Sequence, residues 1–148
     1  MANYRYLIGL LFLLLLLTSC QAPSQPSMSD QKVIKINSNE LTVELATTAE
    51  EIVKGLSGRA SLCQDCGMLF EFPDYQIRNF WMKDMQFSLD IIWIKDNQIV
   101  GIAGAVPVFS SPGTIGRAIS PVKVNKVLEV GSGWAEQHNV KPGDRVEN

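Results

Sequence analysis

Beyond residue 32 the longest apolar stripe at helical spacing is Ala49, Ile52, Val53 and Leu56, only about two turns. Everything else that could be buried comes in short runs rich in Val, Ile, Leu, Phe and Trp, cut by Gly, Pro, Asn, Asp and Ser. Parallel strands need a crossover of a dozen or more residues, usually helical, so this pattern confines the chain to antiparallel pairing. The prediction is a mainly β domain, an antiparallel sandwich or barrel with two short helices.

The individual elements follow from local chemistry. Val33–Ile36 and Leu41–Leu45 form a hairpin around Asn37–Glu40, and Leu41, Val43 and Leu45 alternate toward the core. Thr48 and Glu51 have capping-box spacing for a helix ending near Gly58. Further strands are expected at Gly67–Phe72, Ile77–Met82, Leu89–Ile94, Ile99–Val106 and Val127–Val130, with Asp96-Asn97 as a tight turn. A second short helix spans Trp134–His138, and Lys141-Pro142-Gly143-Asp144 turns into a last strand at Arg145-Val146. Pro107–Gly116, rich in Gly and Ser, reads as a surface loop.

The N-terminus carries an apolar run from Leu7 to Leu17, closed by Leu17-Thr18-Ser19-Cys20. The run is too short to span a bilayer, which takes roughly 20 residues, and fits a cleaved export signal. Its end resembles the lipobox of a bacterial lipoprotein, which implies lipidation at Cys20 and a mature chain starting there. Residues 1–19 are then signal peptide, 20–31 lipidated Cys and flexible tether, and 32–148 a single domain. Gln21–Gln31 is polar with two prolines, and eleven such residues give a typical reach of roughly 18 Å. The expected address is the cell envelope: the outer membrane if the host has one, since Gln21 permits that sorting, and otherwise the outer face of the cytoplasmic membrane.

The chain has 13 basic and 15 acidic side chains, and losing Arg5 with the signal makes it slightly more acidic. Nucleic-acid binding draws on clustered Lys and Arg, and no cluster is present, so that class is excluded. With Cys20 committed to lipid, Cys63 and Cys66 remain as a pair. Their spacing fits a redox motif or half a zinc site, but a second ligand pair is missing and His138 is the one histidine. In an oxidising compartment the pair is expected as a structural disulfide, with a thiol-disulfide protein as the alternative. No metal, cofactor or catalytic residue is assigned.

Charges set against apolar strands mark the candidate site. Leu89, Ile91 and Trp93 share one strand face, leaving Asp90 with Ile92 and Ile94. A carboxylate there must be paired or hydrogen-bonded. It either takes backbone N–H bonds or pairs with Lys83, fixing the loop from Met82 to Leu89. On a functional reading, Asn79, Lys83, Asp84 and Asp90 line a pocket edged by Trp81, with Arg117 as an anion contact from the 107–116 loop. An enzyme using Lys83 with Asp84 or Asp90 is the catalytic alternative. His138 reads as a solvated helix end.

Five blocks carry a resemblance: Gly55-Leu56-Ser57-Gly58-Arg59, Gly67-Met68-Leu69-Phe70, Phe80-Trp81-Met82-Lys83-Asp84-Met85, Leu89-Asp90-Ile91 and Val127-Leu128-Glu129-Val130. Together they resemble the bacterial and archaeal family called domain of unknown function 192, from about Val33 to Val146. The likeness implies a jelly-roll-like or barrel domain, often exported, and no established activity. The chain departs from the family pattern at Cys63 and Cys66 and at Ser57, where Met is frequent. The expected function is a non-catalytic binding module of the envelope, for a small molecule, glycan or protein partner, tied to the membrane by its lipid.

Overall fold

A computed structural model describes residues 30–147, so the expected signal, Cys20 and most of the tether lie outside the described residues. The chain forms β1 (Gln31–Ile36), β2 (Asn39–Ala46), α1 (Ala49–Lys54), β3 (Cys66–Gln76) and β4 (Asn79–Trp81). It continues through β5 (Leu89–Lys95), β6 (Gln98–Val106), β7 (Phe109–Ser111), β8 (Thr114–Ile115) and β9 (Arg117–Ile119). It ends with β10 (Val124–Gly131), α2 (Trp134–Gln137) and β11 (Val146–Glu147). Seven strands make one curled sheet in the order β11-β1-β2-β3-β10-β5-β6, and β4-β9 and β7-β8 form separate two-stranded ribbons. The sheet curls into a half-barrel. Its two edges meet where Ile99 N donates to Asp144 O and Val146 N to Asn97 O.

Two apolar clusters occupy the two faces of this sheet. Ile34, Leu41, Val43, Leu69, Ile92, Leu128 and Trp134 fill the concave side. Leu56, Met68, Phe70, Met82, Ile91, Trp93 and Val127 fill the other. Strand β5 is buried from Leu89 to Ile94 because both its faces are covered, which is why it reads as a continuous apolar run rather than an alternation. Each such side chain contributes about 1.5–3 kcal/mol of burial.

The mainly β architecture with two short helices is the one expected. One pairing departs from the all-antiparallel expectation: β2 and β3 run parallel, from Thr42 opposite Cys66 to Ala46 opposite Phe70. The segment 47–65 makes the crossover, mostly as irregular chain around the short α1, so a long helix is not required. Within it Thr48 caps α1 and Glu51 returns the bond to the cap, completing the capping box. The helix stops at Gly55, with φ 48°, rather than near Gly58, and Val53 is left 69% exposed, off the apolar stripe.

Strand β3 runs four residues past Phe72 because Pro73 does not end it. Pro73 has no N–H to donate, and the pairing with β10 shifts register between Lys126 and Val124 across it. The 107–116 stretch is not a plain loop, since it holds the β7-β8 hairpin and leads into β9.

Candidate functional site

Strands β4 and β9 set Asn79 opposite Ile119, Phe80 opposite Ala118 and Trp81 opposite Arg117. Alternation turns Phe80 and Ala118 inward and the other four side chains outward. Phe80 meets the rings of Phe70 and Trp93 edge-on at 4.9 and 5.7 Å, which fastens the ribbon over the convex core. Outside, Trp81 is 47% and Ile119 61% exposed, and the Arg117 guanidinium stands 5.7 Å from the Trp81 ring centroid. That distance is within cation-π range.

The ribbon is pinned at both ends. Gly116 N donates to Val108 O and Met82 N donates to Gly116 O, each at 2.9 Å. A Cβ on Gly116 would stand 1.8 Å from the Pro107 carbonyl oxygen, so only glycine lets the chain pass there. At the other end Ser120 Oγ accepts from Arg78 N at 2.9 Å and donates to Val122 O at 2.8 Å.

Lys83 and Asp84 follow β4 in an exposed turn, with Asp84 at φ 57°. The turn is held through its backbone: Ser57 Oγ donates to Lys83 O at 2.9 Å and Gly58 N to Asp84 O at 2.8 Å. Asp90 takes no part in it. Its Oδ1 accepts from Ala105 N (2.8 Å) and Gly133 N (3.1 Å), and Oδ2 accepts from Ala135 N (3.0 Å). The carboxylate thus caps α2 from β5, since Gly133 at the cap position has no side chain to do so, and it also fixes Ala105, at φ 49°. Of the two structural roles expected for Asp90, backbone acceptance holds and the Lys83 pair does not form. Because Phe80 packs on Trp93 and Asp90 points to the opposite face of β5, the sheet stands between Asp90 and the ribbon. Asn79, Trp81 and Arg117 come together, Lys83 and Asp84 adjoin them in sequence, and Asp90 sits apart. A groove of about 300 Å3 beside Asp90, edged by Ile102, Gly104, Glu136 and Val140, has that already-bonded carboxylate as part of its wall.

Glu129 was missed as a site residue. It is 5% exposed, between Met68 on β3 and Ile91 on β5, and hydrogen-bonds to no described protein group. Burial pushes its carboxyl up to about 8, so it is largely protonated at neutral pH. The signal was available in the alternation of β10, where Val127 and Glu129 share a face.

Cys63 and Cys66 are bonded, with Cα atoms 5.2 Å apart, where Cys66 opens β3. Between them Asp65 accepts from Trp134 Nε1 at 3.2 Å and lies 3.6 Å from His138 Nε2. His138 stacks on Trp134 at 4.3 Å and its Nδ1 donates to the Trp134 carbonyl at 2.7 Å. It is therefore a half-buried tie between the disulfide loop and α2, not a solvated helix end. Arg59 and Glu44 make a two-pronged ion pair alongside, and that bond raises the Arg59 pKa.

A family model for domain of unknown function 192, described as "Uncharacterized ACR", matches residues 32–148. The chain belongs to the domain of unknown function 192 family. Two solved structures are similar to it. A Sinorhizobium meliloti protein described as a "putative transcription regulator" is 31% identical with a TM-score of 0.74, over 83% of this chain and 97% of that one. A protein of unknown function from Novosphingobium aromaticivorans is 29% identical with a TM-score of 0.70, over 80% and 85%. No functionally curated protein matches the chain. In this domain of unknown function 192 chain the motif blocks converge in space. A Cβ built on Gly55 would meet Phe70 at 3.4 Å and the Glu129 carboxyl at 3.8 Å, while Phe70 packs on Phe80 and Ser57 holds Lys83. Gly67 lets β3 lie against β10, since a Cβ would come within 2.7 Å of Glu129 O.

Proposed function

We propose that this chain is an envelope lipoprotein whose domain is a binding module rather than an enzyme, with the outer face of the β4-β9 ribbon as its recognition surface. The observation that carries this is Trp81 standing half-exposed opposite Arg117 on a ribbon whose inner face is locked by Phe80. Rigid aromatic and Arg side chains contribute disproportionately to binding, and a backbone held at both ends loses little freedom on contact. The face is open rather than walled, which favours an extended partner over an enclosed small molecule.

The catalytic alternative has weaker support. Lys83 and Asp90 make no ion pair, and Asp90 already serves three backbone N–H groups. A regulator role like the one named for the Sinorhizobium protein has no support in this acidic chain, which lacks the clustered cations that binding along a nucleic-acid backbone requires. The disulfide is read as structural, since it presents Asp65 to Trp134.

The test is crosslinking in cells with a photoreactive residue in place of Trp81 or Ile119, compared with Val33, which is 52% exposed on β1. Adducts concentrated at positions 81 and 119 are expected, and yields no higher than at position 33 would sink the proposal. A fatty-acid label that persists after Cys20→Ser would remove the lipid anchor from it.

A further inference from the structure

We infer that the ribbon face docks flat on the membrane leaflet that holds the Cys20 anchor, so that the recognised partner is an anionic lipid surface. This rests on the reading of Cys20 as lipid-bearing and of the ribbon as the binding face. Ile77, Trp81, Ile119 and Val122 are 50, 47, 61 and 45% exposed, a concentration of large apolar side chains on and beside one two-stranded element. Arg117 and Lys123 flank Ile119 and Val122 along the chain and are exposed. Apolar side chains with a Trp at headgroup depth and cations beside them are what an anionic interface attracts.

The covalent geometry selects this occupant over others. From Cys20 to Gln31 the backbone can span at most roughly 40 Å, so the domain never leaves the neighbourhood of the leaflet. Tethering makes docking intramolecular, at an effective concentration on the order of millimolar, and a contact too weak to hold a free protein then suffices. The inward-facing residues reinforce the orientation. Phe80 and Ala118 are committed to the core, so the ribbon has only the outer face to offer.

The three tryptophans make the contact measurable, because Trp93 and Trp134 are 1% and 3% exposed and Trp81 alone is open to an aqueous quencher. The full-length acylated protein would be placed in vesicles of phosphatidylethanolamine and phosphatidylglycerol, part of them carrying bromine near the headgroup. Docking predicts that Trp81 emission falls to less than half with brominated lipid and becomes closed to iodide. An Ile77→Ser, Ile119→Asp variant, with unchanged near-ultraviolet signals from the buried tryptophans, regains iodide access. Protein that floats with the vesicles while Trp81 stays open to iodide overturns the docking and leaves the anchored module with its face free for a protein or glycan. Protein that carries no acyl group at Cys20 after processing in its own host removes the anchor, and with it both the docking and the envelope reading.

Discussion

Glu129 and Asp90 are both acidic, both buried and on adjacent strands, yet the structure uses them in opposite ways. Asp90 has three N–H donors, whereas Glu129 has none among the described residues and is kept neutral by burial. For Glu129 the folded pKa of about 8 exceeds the ordinary value of 4.5, so between those pH values the folded state holds the proton more tightly. Its stabilising share is complete below about pH 4.5 and is lost as pH rises through 8. Urea unfolding from pH 5 to 9 should show stability declining by several kcal/mol, and Glu129→Gln should flatten that decline. For Asp90→Ala, three backbone N–H groups lose their acceptor, and a loss of about 2–4 kcal/mol is expected in the same measurement at pH 7. Gly116→Ala should cost about 1–3 kcal/mol or more through the clash with Pro107, read as a lower melting temperature. Trp81→Ala, by contrast, should leave stability within about 0.5 kcal/mol, because exposed substitutions seldom do more.

At the scale of elements, the short helices act as fasteners. α2 is only Trp134–Gln137, too short to be stable alone, and it is held by the Asp90 cap and by Asp65 through Trp134. The disulfide closes a very short loop, for which chain entropy gives about 2 kcal/mol. Replacing Cys63 and Cys66 by Ser should lower the melting temperature by several degrees and red-shift Trp134 emission as Asp65 loosens; unchanged emission would separate the bond from the α2 clamp. The expected strands at 33–36, 41–45, 89–94 and 99–106 recur because alternation and turn residues act over neighbouring positions. The β2-β3 parallel pair and the β4-β9 ribbon were not legible. Their hydrogen bonds join segments distant in sequence, and Gly116 or Ser120 reveals its purpose only beside Pro107 or Arg78.

For the whole molecule, the half-barrel separates two faces of different use. The concave side is filled by its own core and by α2, while the convex side carries the ribbon whose outer surface remains available. The candidate pocket of Asn79, Trp81, Lys83, Asp84, Asp90 and Arg117 divides accordingly, because odd and even residues of β5 serve opposite cores. Raising salt should weaken any ribbon contact that depends on Arg117 and Lys123 while leaving the acyl anchor in place, which flotation at increasing ionic strength would show as retained protein with reopened Trp81.

The amino-acid sequence by itself determined the strand-rich class, the family, the Cys63-Cys66 pairing as an expectation and the inward orientation of Leu41 and Val43 on the second strand. These depend on composition, motif order and period-two alternation, all of which are local. Tertiary structure decided which polar residues meet: that Asp90 serves α2 rather than Lys83, that Glu129 is buried with no hydrogen-bond partner among the described residues, and that Trp81 and Arg117 share one face. The reason is physical, since a hydrogen bond or a desolvated carboxyl depends on separations of a few ångströms between segments that alternation does not bring into register.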